Sequence, residues 1–229
     1  MKKKLKTCDH SCFMCQHVLH DWYTQVDRNR TVVKIRKGQQ FISEGDTVRG
    51  VYFVLSGAIK VHRRWGDKEM IVRFAKKGDI VGHRGVTSGK GAYPISATAL
   101  EATELCFLDL DFFMLSLRLH ASLSYQLMLF YADELQWSEQ KMYNAAHLSV
   151  KSRLAYSLLL LRGLFGREEP DGFIGLILSK TDLAAYIGTT YETVYRAMGE
   201  LEVEGLIALA GKKIFVCRPD LLQALLEKC

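Results

Sequence analysis

Two sets of residues in this chain have the types and spacing to do chemistry. The first is Tyr191, Glu192, Tyr195 and Arg196. Side chains four apart share a helix face, so these four lie along one edge. An arginine there can fork onto O6 and N7 of a guanine, and a glutamate can accept from N4 of a cytosine. Each such contact discriminates by about 1–3 kcal/mol. Thr190 and Thr193 stand at the helix start, where backbone N–H groups favour phosphate. Lys180, Lys212 and Lys213 are further candidates for phosphate contact. The second set is Cys8, Cys12 and Cys15, three thiols within eight residues, interleaved with His10, His17 and His20. Thiolate and imidazole at this spacing fit a zinc site or a thiol switch.

The first set needs a scaffold, and SKTDLAAYIGTTYETVYRAMGELEVEGLI supplies it. Ser179 can cap a short helix with Asp182 at its third position. Leu183, Ala184 and Ile187 form its apolar face, and Gly188 ends it. Thr189 is expected to cap the second helix, with Glu192 as the return partner of a capping box. Val194, Met198 and Leu201 then face inward, opposite the Tyr191–Arg196 edge. This division is what a helix-turn-helix requires, one face packed and the other offered to the major groove. Beyond Gly205, LIALAGKKIFVC reads as a strand, a turn at Gly211-Lys212-Lys213 and a second strand, a wing with a basic tip. Pro219 opens a last helix.

The chain has 229 residues, 48% hydrophobic and 24% charged, with a formal net charge of +6. That balance is globular, and the charge permits a polyanionic partner without requiring one. No apolar run is long enough to span a membrane. The basic MKKKLK start lacks the apolar core of a secretory signal. The six cysteines then read as thiols or metal ligands rather than disulfides, and a cytoplasmic location is expected. The pattern predicts an α+β chain in four parts. Residues 1–29 are a cysteine-bearing arm. Residues 30–110, short β-rich runs punctuated by Gly38, Gly45, Gly57, Gly66, Gly78 and Gly82, form an antiparallel β-roll, a cyclic-nucleotide-binding-like jelly roll. Residues 111–148 carry a short helix and a long one, roughly Ala121 to Leu148. Residues 149–229 are the winged helix-turn-helix, opened by a helix from Val150 to Phe165. The long helix is too widely apolar for one partner. One face can cover the β-roll, and another can pair with a second copy. Leu123, Leu127, Phe130, Tyr131 and Leu135 are the expected dimer contacts.

This order of parts resembles the cAMP receptor protein and fumarate–nitrate reduction regulator family over essentially the whole chain. The resemblance rests on KGQQFISEGD, VYFVLSGAIKV, IVRFAKKGDIVG, SATALE, SRLAYSLLLL, TDLAAYIGTTYETVYR and EGLI. It implies a homodimeric transcription regulator on a palindromic duplex, in contact with RNA polymerase. The family's reading helix carries E-x-x-x-R at Glu192 and Arg196; Tyr191 and Tyr195 depart from its usual neighbours. The oxygen-sensing branch implies a [4Fe–4S] cluster on Cys8, Cys12, Cys15 and Cys106, although the spacing here is C-x3-C-x2-C instead of C-x2-C-x5-C. Zinc on the same arm is the alternative, and Cys217 and Cys229 look unrelated. Binding of cAMP is not expected. His83 stands where cAMP-binding members hold the ribose with a glutamate, and Tyr93, Pro94 and Ile95 replace the phosphate-pairing segment. A small molecule bound by His83, Arg84, Tyr93 and Arg73 is conceivable, but these are read as surface or cap residues. A metal-dependent β-roll enzyme is the rival class. It would need histidines clustered on adjacent strands, and His62 and His83 stand far apart.

Overall fold

The computed structural model describes residues 9–87, 91–166 and 172–227. The chain forms two compact units, residues 1–63 with 73–134 and residues 64–72 with 135–229.

In the first unit the residue before the barrel-like part is already ordered. Short 3-10 turns at Cys15–His17 and His20–Trp22 lead into α1 (Tyr23–Asn29). The arm is tied down by ordinary hydrogen bonds. Phe13 N donates to Gly78 O at 2.9 Å, Tyr23 Oη to Cys15 O at 3.0 Å, and Trp22 Nε1 to Ser116 Oγ at 3.1 Å.

Eight strands follow: β1 (Arg30–Ile35), β2 (Gln40–Ile42), β3 (Gly50–Ser56), β4 (Ile59–Trp65), β5 (Lys68–Ala75), β6 (Ile80–Val81), β7 (Ser96–Ala99) and β8 (Thr103–Asp109). They make two four-stranded sheets, β1-β8-β3-β6 and β2-β7-β4-β5. Apolar side chains on the inner faces, among them Val51, Phe53, Ile59, Val61, Ile71 and Leu105, are removed from water. That burial is the main favourable contribution to this core. In the first sheet Cys106 on β8 stands between Val32 of β1 and Phe53 of β3. Gly82 has φ +90, and a Cβ there would press on Tyr93 and Ile42. It turns the chain after β6 so that His83 points inward.

Next come α2 (Leu110–Leu119), capped by Asp109, and α3 (Ala121–His147). At 27 residues α3 is about 40 Å long. Leu123 and Leu127 are fully or almost fully buried in the first unit's core, and Phe130 packs partly against it. Leu123 and Leu127, named above as dimer contacts, are thus covered within the chain, while Phe130 stays half-buried. Tyr131 donates its hydroxyl to His83 O at 2.7 Å. The exposed stripe is instead Tyr125, Met128, Ala132, Leu135 and Met142. Its 3-4-3-7 spacing is that of a coiled-coil seam, and of the expected contacts it retains only Leu135.

In the second unit α4 (Val150–Phe165) packs against α5 (Lys180–Ile187), α6 (Tyr191–Val203) and α7 (Pro219–Glu227). Strands β9 (Ile207–Ala210) and β10 (Lys213–Val216) pair antiparallel as the wing. No described helix is long and apolar enough to cross a membrane.

Candidate nucleic-acid interface and the cysteine-bearing core

The two helices of the motif are set by their ends. Ser179 caps α5 in a full capping box with Asp182, and Gly188 closes it at φ +73. That left-handed conformation is one glycine adopts without steric cost. The cap of α6 is Thr190, not Thr189: its Oγ1 accepts from Thr193 N at 3.3 Å. The start of α6 is thus one residue later than expected, and Glu192 is no capping-box partner. The Thr190 hydroxyl also meets Thr193 Oγ1 at 3.0 Å, so both threonines are engaged at the helix start.

The inward face of α6 buries Val194, Ala197, Met198 and Leu201. Tyr191, Glu192, Tyr195 and Arg196 are exposed on the outer one. The Tyr191 and Tyr195 rings stack with centroids 6.2 Å apart at 21°. Lys180 reaches across from α5 and sets its Nζ 4.2 Å from the Tyr195 centroid. Lys212 and Lys213 are exposed at the wing turn, with Lys213 Nζ 5.3 Å from the Phe173 ring. The outer edge of α6 therefore offers a glutamate, an arginine and two aromatic rings with Lys180 beside them, and the wing turn carries two further exposed lysines.

In the first unit Cys12, Cys15 and Cys106 are all buried and belong to one core cluster with Met14, Phe53, Phe113 and Leu123. Cys8 and Cys229 lie outside the described residues. An iron–sulfur cluster requires its thiolates around one centre. The burial of three candidate cysteines in one cluster brings them to the same region. Among the described residues, however, no three His, Cys, Asp or Glu side chains are grouped to hold a metal ion. Cys12, Cys15 and Cys106 thus lie in one buried region beside the start of the described arm.

Of the residues expected to be surface or cap groups, Arg73 and His83 are buried and, with the half-buried Arg84, form an ionic knot, which is a further correction. Glu134 on α3 places Oε1 2.8 Å from Arg73 Nε, and Oε2 2.9 Å from His83 Nε2 and 3.1 Å from Arg84 Nε. Arg73 also donates to Ile80 O and lies near Phe130. Tyr93 is buried and donates to Gly50 O at 2.7 Å. Burial pushes the Glu134 carboxyl up, but the bond from His83 and the charges of Arg73, His83 and Arg84 outweigh it, bringing it down to about 2. Burial, with Arg73 and Arg84 nearby, holds His83 below its ordinary 6.5. A neutral imidazole donating from Nε2 fits that direction, with Nδ1 buried and unpaired among the described residues. Sequence reasoning missed this knot because Glu134 lies 50 residues or more from each residue it binds, and a lone Glu on a long helix carries no signal of its own.

Comparison with known proteins agrees with this division. Residues 32–117 match the cyclic nucleotide-binding domain family, and residues 152–225 match the Crp-like helix-turn-helix domain family. The Fumarate and nitrate reduction regulatory protein of Salmonella typhimurium is 29% identical over 195 residues, covering 83% of this chain and 76% of the relative. The Anaerobic regulatory protein of Bacillus subtilis is 26% identical over 210 residues, covering 90% and 88%. The solved structure of FixK2 from Bradyrhizobium japonicum shares the fold, with TM-score 0.77 at 24% identity over 86% of this chain and 96% of that one. The two curated relatives are named as regulatory proteins, and with the helix-turn-helix match this sets aside the enzyme alternative. From its two matched domains and these relatives, the chain belongs to the Crp/Fnr family of DNA-binding transcription regulators.

Proposed function

We propose that the chain acts as a cytoplasmic homodimer that binds a two-fold symmetric duplex and recruits or blocks RNA polymerase there. The observation that carries the reading is the two-faced α6, with Val194, Met198 and Leu201 sealed inside and Glu192 and Arg196 outside. In the major groove Arg196 would fork onto a guanine and Glu192 would accept from a cytosine. Lys180, Thr190, Thr193, Lys212 and Lys213 would hold phosphates and fix the register without reading sequence. Two copies are needed because one reading helix covers only half a site, and the Tyr125–Met142 stripe of α3 is the surface that would pair them. The test is a mobility-shift titration on a selected palindromic duplex. Arg196→Ala is expected to abolish specific binding while the protein still melts cooperatively. Retained specificity would overturn the assignment.

A second reading concerns what the first unit senses, and it is favoured by the burial of Cys12, Cys15 and Cys106 in one cluster. With Cys8 they would supply four thiolates for an iron–sulfur cluster, whose part when bound would be to react with oxygen or nitric oxide. The relatives named for fumarate, nitrate and anaerobic regulation are consistent with such a role. The chain's own contribution would be to hold the arm against β8 and the start of α3 while the thiolates are engaged. Zinc on the arm is the alternative occupant. Elemental analysis of anaerobically purified protein separates the two, and absence of both metals overturns either. A cyclic nucleotide is not the expected effector, because Glu134 already supplies the anion that His83 and Arg84 face. Millimolar cAMP should leave melting and DNA affinity unchanged.

A further inference from the structure

Polar contacts from Glu192 and Arg196 do not account for the other half of the exposed edge of α6. Tyr191 is 46% exposed and Tyr195 57% exposed. Their rings are stacked upon one another one helical turn apart, and the Lys180 ammonium covers Tyr195. Each feature limits the freedom of the rings. The stack restricts both side-chain torsions, and the cation holds Tyr195 by attraction to its π face. An ordered pair of large aromatic rings facing water leaves apolar area that a partner surface can cover. In the major groove the natural apolar feature of the base edges is the C5-methyl of thymine.

We infer that the Tyr191–Tyr195 stack is a specificity element that reads thymine C5-methyl groups beside the base pairs contacted by Glu192 and Arg196. The inference rests on the proposal that α6 enters the major groove, and it adds the chemistry of the neighbouring positions. Lys180 then has two roles, holding the Tyr195 ring by its ammonium and bringing a positive charge to the adjacent phosphates. The half-site is consequently expected to place thymine next to a G·C pair.

The experiment uses the full-length protein and its selected palindromic duplex. Each thymine is replaced in turn by deoxyuridine, which removes the methyl and leaves every hydrogen-bonding group in place. The wild-type protein should lose about fourfold in affinity for each methyl that it covers, as expected for one buried carbon. Tyr195→Phe should keep that sensitivity, because the ring remains. Tyr195→Ala, at an exposed site, should bind thymine and deoxyuridine duplexes equally at the position that the Tyr195 ring covers. Equal wild-type affinity for both duplexes at every position would overturn the inference. So would a Tyr195→Phe protein that discriminates as poorly as Tyr195→Ala, since the phenol oxygen would then be the reader. Arg196→Ala run in parallel separates the two levels. If it abolishes specificity while deoxyuridine has no effect, only the aromatic reading fails; if specificity survives, the placement of α6 itself fails.

Discussion

His83 and Glu134 meet inside the first unit, with Nε2 of the one 2.9 Å from Oε2 of the other, although 51 positions of sequence separate them. The contact joins the turn after β6 to the middle of α3, and Arg73 and Arg84 share the same carboxylate. Taking away the carboxylate would leave the buried Arg73 guanidinium with only the more distant Asp79, 3.8 Å away, as counter-charge. Glu134→Ala should therefore destabilise the protein by about 3–5 kcal/mol, read from urea unfolding. Glu134→Gln, which keeps the shape and one acceptor, should cost less. A neutral result for both would mean that the knot contributes nothing to stability.

The same pair gives a pH dependence. His83 is held below 6.5 in the folded protein, so the unfolded chain takes up its proton first on acidification. Stability is then lost as pH falls below about 6.5, toward the folded value. Glu134, lowered from 4.5 to about 2, withdraws a further contribution as pH falls from about 4.5 to 2. The charged groups that face the pair are Arg73, Arg84 and Asp79, with Tyr131 beside them. Unfolding free energy measured from pH 8 to about 2 should decline first near 6.5. His83→Gln should remove that first decline and leave the carboxylate part.

The α3 stripe predicts the assembly state. Met128→Asp puts a charge in the middle of the exposed seam, where pairing two copies would bury it. Analytical ultracentrifugation should then shift the protein toward the 26.0 kDa mass of a single chain, with no change in melting of the first unit. Leu123→Asp should instead unfold it, because Leu123 is 0% exposed.

The cap of α6 can be tested directly. Thr190→Ala removes the acceptor for Thr193 N and should cost about 1 kcal/mol. Thr189→Ala should cost much less. Thermal melting of the two variants decides which threonine begins the helix.

The wing lysines should act through charge alone. Lys212→Ala and Lys213→Ala should each lower the slope of log affinity against log salt by about one per contacted phosphate and weaken all sequences alike. A change in which duplex is preferred would show that the wing reads bases.

Much of this was legible in the sequence where signals are local. The capping box at Ser179 and Asp182, the stop at Gly188, the helix at Val150–Phe165 and the two wing strands all follow from neighbours within a few residues. The α6 cap slipped by one because two threonines adjoin and both are competent caps. Which side of α3 meets the first unit's core was not legible, because α3 is apolar on two sides and periodicity alone does not say which one packs inward. Leu123 and Leu127 went inward; Tyr125 and Met128 stayed out. The arm's short turns and α1 escaped notice because Trp22, Tyr23 and Val26 give too brief a pattern. The Glu134 knot, built from three distant segments, has no local signature at all.

Because Cys12, Cys15 and Cys106 double as filling for the hydrophobic interior of the first unit, whatever captures or modifies those sulfurs must also loosen or tighten that unit. On the proposed reading, occupancy and structural integrity there would be a single equilibrium. A calorimeter, with no DNA in the cell, should then suffice to tell metal-loaded from metal-free protein.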